Sequence, residues 1–394
     1  MSVLGFEYSK FRSVARYLIS GSLYVVTGVV QIICMQALMY EGGGGGKHTD
    51  FFVAREYRLT SCANLRFRTE CCSDRDTFLI SIPNYLGNVL VFFAGEPILR
   101  LFRNASRDSK EETKPKSLMP KLSMKAIFHP ERRKLFITAF NELIAFAVGL
   151  LGLSYAGSGL YQIVHSGSTV STAILTTICL KKRLTIMQWM FVATITIGLV
   201  IAAEQPDVPK DSYATVINGV IFTLTSCLFY SLNYVVVEYF LSSSSGESTS
   251  FPPPTGPELS LYTHGTCLVV FCIYIGIHTV PNWTQLVTKS IEVHHGNAFR
   301  ILGLYFGIFA SSFLHAIAYY DVIASLGAVH IGIMGAVRSV SVFAASAMFF
   351  CELQESQCYS QRKGMVTFIV TSGAVGYSLA GKKLNPQTSN ESNL

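Results

Sequence analysis

The sequence predicts an all-α membrane protein of ten transmembrane helices arranged as two inverted five-helix repeats. Three observations carry this expectation. Half of the 394 residues are hydrophobic and only 14% are charged, against roughly 25% charged in soluble domains. Apolar runs recur along the chain, and a bilayer-crossing helix needs about 20 such residues. The formal net charge of +7 gathers in a few connecting segments, as orientation signals do, rather than along one face. No nucleic-acid partner is therefore expected.

The first repeat is read over residues 1–210. Its first span, Tyr17–Met39, is too long for the apolar core of a signal peptide. Lys10, Arg12 and Arg16 precede it and set the N-terminus in the cytosol. The loop 40–77 balances six basic against six acidic residues and carries Cys62, Cys71 and Cys72, which suits a lumenal side where a disulfide is allowed. A second span follows over Phe78–Leu99. The loop 100–134 then holds eleven basic residues against four acidic ones, the strongest cytosolic signal in the chain. Span three covers Leu135–Leu153 and contains Asn141 and Glu142. Spans four and five occupy Tyr155–Ala203, joined by the tight basic turn Lys181-Lys182-Arg183.

The acidic, proline-bearing link Glu204–Tyr213 separates the halves, and the second repeat covers 211–394. Span six is read over Ala214–Phe240. The Ser- and Pro-rich segment 242–258 cannot bury a core and reads as a cytosolic linker. Spans seven to ten are read over Leu259–Val280, Ile301–Asp321, Leu326–Phe350 and Met365–Ala380. Lys382 and Lys383 then begin a short cytosolic tail.

Span four is unusually polar. Ser158, Gln162, His165, Thr169, Thr172 and Thr176 recur every three or four residues and so share one helix face. Such a stripe either lines a watery path or bonds helices together; both readings stay open, with Gln162 and His165 favouring a cavity. Laying residues 165–189 over 334–358 pairs Leu184 with Leu353 and Gln188 with Gln357. It also sets Thr169 and Thr172 on Arg338 and Ser341. Identity is sparse, but both stretches share a small, polar span, a short charged turn and a glycine-punctuated span. Five spans per repeat force opposite orientations, an arrangement that brackets a midplane site in secondary transporters.

Arg338 near the middle of span nine is the sharpest single feature. A mid-membrane Arg faces a cavity or a charged partner; Glu142 and Asp321 are the acidic candidates, and an anionic substrate is the other. His165 is either a proton-coupling group or a hydrogen-bonded core residue. Tyr230, Asn233 and Tyr234 either stack on and bond a ligand or simply pack. Ser312, His315 and Tyr319 share one face of span eight. The ten cysteines and the pair His294-His295 show no metal-ligand spacing. No motif for hydrolysis or for ATP binding is present. Neither enzymatic activity nor a cofactor or metal is expected.

The stretch Tyr161-Gln162-Ile163-Val164-His165-Ser166-Gly167-Ser168, with Lys182-Arg183-Leu184 and Gln188-Trp189, resembles the Gln-Met-Leu-Arg-Gly-Ser segment and following turn of the drug/metabolite transporter superfamily. Within it the chain looks like the nucleotide-sugar-transporter-like solute carrier family 35. Gly335-Ala336-Val337-Arg338 likewise resembles the Gly-x-Val-Lys element of that family's ninth span. The resemblance covers residues 130–205 well and 300–380 moderately, and His165 departs from it where the family often has Arg. It implies a secondary active transporter of a small anionic metabolite, foremost a nucleotide sugar or related phosphorylated compound. Substrate contacts are expected from Gln162, His165, Thr169, Thr172, Tyr230, Asn233, His315, Arg338 and Ser341. The implied location is the Golgi or endoplasmic reticulum membrane, with lysosomal, vacuolar or plasma membrane as alternatives; lipid surrounds the chain and a homodimer is allowed. A proton-coupled transporter and a non-transporting scaffold or receptor are the competing readings.

Overall fold

A computed structural model describes residues 3–43, 77–104, 130–181, 184–203, 210–242, 254–326, 328–353 and 358–382. Most of the loop 40–77 with its three cysteines, the core of the basic loop 100–134, Lys182, Arg183, residues 204–209, residues 243–253 of the linker and most of the C-terminal tail lie outside the described residues; the last residues of the expected linker, 256–258, already belong to a helix. Every regular element among the described residues is helical: α1 (Val3–Tyr40), α2 (Ser81–Asn104), α3 (Phe136–His165), α4 (Ser168–Cys179), α5 (Ile186–Ala203), α6 (Lys210–Ser242), α7 (Gly256–Tyr274), α8 (Lys289–Val293), α9 (Ala298–Leu326), α10 (Ala328–Phe350) and α11 (Gln361–Lys382). A 3-10 turn (Pro130–Leu135) precedes α3, and two π turns lie between α7 and α8.

Among the described residues, five segments are long and apolar enough to cross a bilayer: Ile19–Tyr40, Arg132–Ser158, Val216–Leu241, Gly256–Thr279 and Ala298–Ile323. Shorter apolar stretches lie at Ser81–Ala94, Ile186–Gly198 and Val337–Phe350. The chain is thus an all-helical, multi-pass membrane protein.

Spans three and four are one helical stretch broken at Gly157, whose φ of 74° and ψ of 161° lie in a region essentially reserved for glycine. The two arms of α3 diverge from that point and hold α6 between them. Down the first arm the contacts run antiparallel. A methyl on Gly219 would meet Ala156, one on Gly152 would meet Thr223, and the Ser226 hydroxyl donates to the Ala145 carbonyl at 2.7 Å. Up the second arm they run parallel: Cys227 Sγ approaches the carbonyls of Val164 and His165, and the Ser231 hydroxyl donates to the Ser168 carbonyl.

The pair α9 and α10 holds α1 in the same manner. Contacts from α1 to α9 are antiparallel, from Ser20 on Asp321 at 2.8 Å to Tyr305 on the Gly43 carbonyl at 2.8 Å. Those to α10 are parallel, with Gly21 against Met334 and Gly28 against Arg338. At these glycines the side chains of Met334, Arg338 and His315 fill the space a β-carbon would take, a use of small residues common where membrane helices pack.

Two apolar clusters close the bundle above and below a polar middle. One gathers Leu38, Ile80, Tyr85, Phe146, Phe271, Ile301 and Ile308. The other gathers Leu135, Val237, Leu259, Tyr320, Ile323 and Ile331. Next to the second, Thr255 caps α7: its hydroxyl accepts from the Glu258 amide, and the Glu258 carboxylate accepts from the Thr255 amide at 2.8 Å. The same carboxylate pairs with buried Arg132 at 3.6 Å, tying α7 to the entry of α3. A disulfide joins Cys351 and Cys358 between α10 and α11.

Candidate functional site

Between the two clusters lies a cavity of about 160 Å³, lined by seven helices. The sequence HSG builds one corner. Ser166 returns its hydroxyl to the Gln162 carbonyl at 3.1 Å, and Gly167 N–H bonds the Val164 carbonyl at 2.9 Å. A hydroxyl bonded back one turn bends a helix, and this tightened turn separates α3 from α4. At this turn Cys227 of α6 approaches the carbonyls of Val164 and His165, and Ser231 donates to that of Ser168 at the start of α4. The bend leaves Gln162 and His165 on the cavity wall and turns Thr169 and Thr172 into a smaller adjoining void of about 20 Å³.

Arg338, His165, Tyr24 and Tyr234 line both spaces. The guanidinium carbon stands 5.7 Å from the Tyr24 ring centroid, a cation–π distance. Its Nε is buried with no hydrogen-bond partner, and among the described residues no carboxylate comes within ion-pair distance of it. His315 stacks on Tyr24 with centroids 4.3 Å apart. Its Nδ1 lies 3.0 Å from the Tyr24 carbonyl, which can only accept, so Nδ1 carries a proton.

An aromatic wall continues from this corner. His165 lies 5.4 Å from Tyr161 and 5.5 Å from Tyr230; Tyr230 stacks on Tyr234, and Tyr234 leads to Tyr319 and Tyr320. Polar groups complete the lining. Gln31 donates to Asn84 at 2.6 Å and to Ser312 at 3.0 Å, a bridge across α1, α2 and α9. Asn233 donates to a Glu142 oxygen at 3.2 Å, which leaves the Asn233 amide oxygen buried and unpartnered. Gln162 is 0% exposed, and both its amide atoms lack a partner. An unmet buried polar atom costs about 1–3 kcal/mol, so amides left in this state on a cavity wall mark where a ligand or water bonds.

Of the nine residues singled out in the sequence, the structure brings Gln162, His165, Tyr230, Asn233, His315 and Arg338 together around the main cavity. Thr169 and Thr172 line the smaller void. Ser341 lines neither; its hydroxyl bonds back to the Val337 carbonyl at 3.0 Å. The polar stripe of span four therefore divides. Ser158 meets Ser346 of α10 at 2.7 Å and is helix-to-helix bonding, whereas Gln162 to Thr172 face open space. Sequence reasoning did not find Tyr24, Asn84, Asn88, Tyr161 or His264, which also line the cavity. Asn84 and Asn88 lie one helical turn apart on α2, a spacing that could have flagged them.

No protein-family model matches this chain, and no curated protein matches it.

Proposed function

We propose that the chain is a secondary active transporter of the drug/metabolite type, with ten spans in two inverted repeats. It carries a small anionic metabolite, a nucleotide sugar or related phosphorylated compound, through the membrane by alternating access. The observation that carries this reading is Arg338. It is a permanently charged group beside a cavity at mid-bundle, without a carboxylate in reach among the described residues. An Arg kept in a membrane for structure alone needs a fixed counter-charge. An anion arriving in the cavity supplies one, and guanidinium engages phosphate bidentately.

The helix packing supports the repeat. Exchanging spans one with six, two with seven, three with eight, four with nine and five with ten maps neighbours onto neighbours. The α9–α10 pair embraces α1 as the two arms of α3 embrace α6, and α2 packs on α9 as α7 packs on the first arm of α3. The Cys351–Cys358 disulfide supports a lumenal face for that loop, because disulfides persist in oxidising compartments. This agrees with the Golgi or endoplasmic reticulum as the membrane concerned.

Proton-coupled transport is the second reading, favoured by Glu142 and the three histidines on the cavity wall. One experiment tests both. Purified protein is reconstituted in liposomes preloaded with nucleoside monophosphates, and uptake of labelled nucleotide sugars and sugar phosphates is followed with and without an imposed pH gradient. Exchange-dependent uptake that Arg338→Gln abolishes supports the anion reading. Uptake driven by the pH gradient alone supports the proton reading, and no uptake of any anion refutes both.

A further inference from the structure

The cavity carries two opposite poles that do not pair with each other. At one, Arg338 presents an unpartnered Nε, flanked by His165 and His315. At the other, Glu142 lies bonded to Asn233, whose own amide oxygen is an unmet acceptor. Tyr161, Tyr230 and Tyr234 lie within electrostatic range of both charges. Among the described residues no ion pair joins Arg338 to Glu142.

A plain anion satisfies only half of this arrangement. Seated on Arg338, it leaves the Asn233 oxygen unbonded and puts its charge in the same cavity as the Glu142 carboxyl group. Like charges brought together out of water repel. A plain cation fails at the Arg338 pole for the same reason. A molecule with an acceptor anion at one end and a nitrogen donor at the other satisfies both poles. The free amide of Gln162, able to donate and accept, bonds its middle. The size fits a compact compound. About 160 Å³ of space for water centres holds on the order of ten waters, or roughly 300 Å³ of liquid, at the bottom of the range for small-molecule sites.

We infer that the substrate is bipolar: a phosphate or comparable anion that carries an ammonium or amide N–H at its far end. The anion sits on Arg338 and the donor on Glu142 and Asn233. Glu142 is then a specificity-determining residue that rejects simple anions. This inference rests on the anion reading of Arg338 given above.

The test is binding of two matched series to the purified full-length chain by isothermal titration: alkyl phosphates, and ω-aminoalkyl phosphates of the same lengths, from two to six carbons. At one chain length the amino compound should bind about tenfold tighter or better. Glu142→Gln, which keeps shape and removes charge, should erase that gain while leaving the alkyl phosphate equal or tighter. Asn233→Ala, as an independent variant, should reduce the same gain. The bipolar inference is overturned if the amino group adds nothing at any length, or if its gain survives both substitutions; the anion reading then still stands. If neither series binds, or binding survives Arg338→Gln, the anion reading falls and the inference with it.

Discussion

Gly28 of α1 lies directly under the Arg338 side chain: a β-carbon on Gly28 would sit 2.5 Å from Arg338 Cδ and 3.0 Å from His315 Cε1. The guanidinium is positioned by a gap in the neighbouring helix as much as by its own. Gly28→Ala should therefore push Arg338 off its seat and weaken phosphate binding by about tenfold or more, alongside an overpacking cost of about 1–3 kcal/mol. Titration of an alkyl phosphate against the variant and against the Gly28→Ala, Arg338→Gln pair separates the causes. In the pair the glycine change should have no further effect on binding.

The division of the span-four stripe makes a second prediction. Ser158 and Ser346 should behave as mutual hydrogen-bond partners, with a coupling of about 0.6 kcal/mol in a double-mutant cycle to Ala read by unfolding in detergent. Ser158→Ala should leave uptake intact. Gln162→Leu should abolish uptake while the protein still folds, because Gln162 has no protein partner to lose. Normal uptake by Gln162→Leu would make the whole stripe packing.

Gly157 allows a third. Its backbone conformation excludes a β-carbon comfortably, so Gly157→Ala should cost about 1–3 kcal/mol and lower the yield of folded protein. Gly303 is the control. A methyl there meets nothing within 4 Å, so Gly303→Ala should be neutral or stabilise α9 by up to about 1 kcal/mol. The measurement is the unfolding temperature of both variants. Equal effects would contradict the turn assigned to Gly157.

Orientation can be read chemically. In sealed vesicles, a cytosol-side thiol reagent should label a cysteine introduced at Asn104 and not one introduced at Glu292. Cys351 and Cys358 should resist labelling from either face until reduced, and then yield two thiols. Labelling in the opposite sense would invert the topology.

The helical, membrane-spanning character of this chain was legible in its sequence because composition and apolar run length answer directly to the bilayer. Within five of the expected spans the apolar windows agree with the sequence reading, as in Ile19–Tyr40 and Val216–Leu241. Boundaries were less legible. Spans three and four are separate helices, as read, but they meet at Gly157 without a loop, since one residue at positive φ interrupts helix geometry without altering hydropathy. The bend at Ser166–Gly167 escaped notice for the same reason.

The candidate site divides in the same way. By itself the sequence determined that Arg338, Gln162 and His165 are out of place in lipid and so face inward, because burying polar groups in hydrocarbon has a cost that any sequence must respect. It also determined that Gln162 and His165 share one face of one helix. Only the tertiary structure decided which polar groups bond each other and which are left facing open space. Ser158 and Gln162 lie one turn apart on the same stripe, yet the first finds Ser346 and the second finds a cavity. Only the fold, too, brought Glu142, Asn84 and Tyr24 to the same cavity as Arg338 from other helices. Helix periodicity fixes which way a side chain points from its own axis. The partner it meets there depends on how the helices pack, and that depends on glycines and small residues whose contacts span the whole chain.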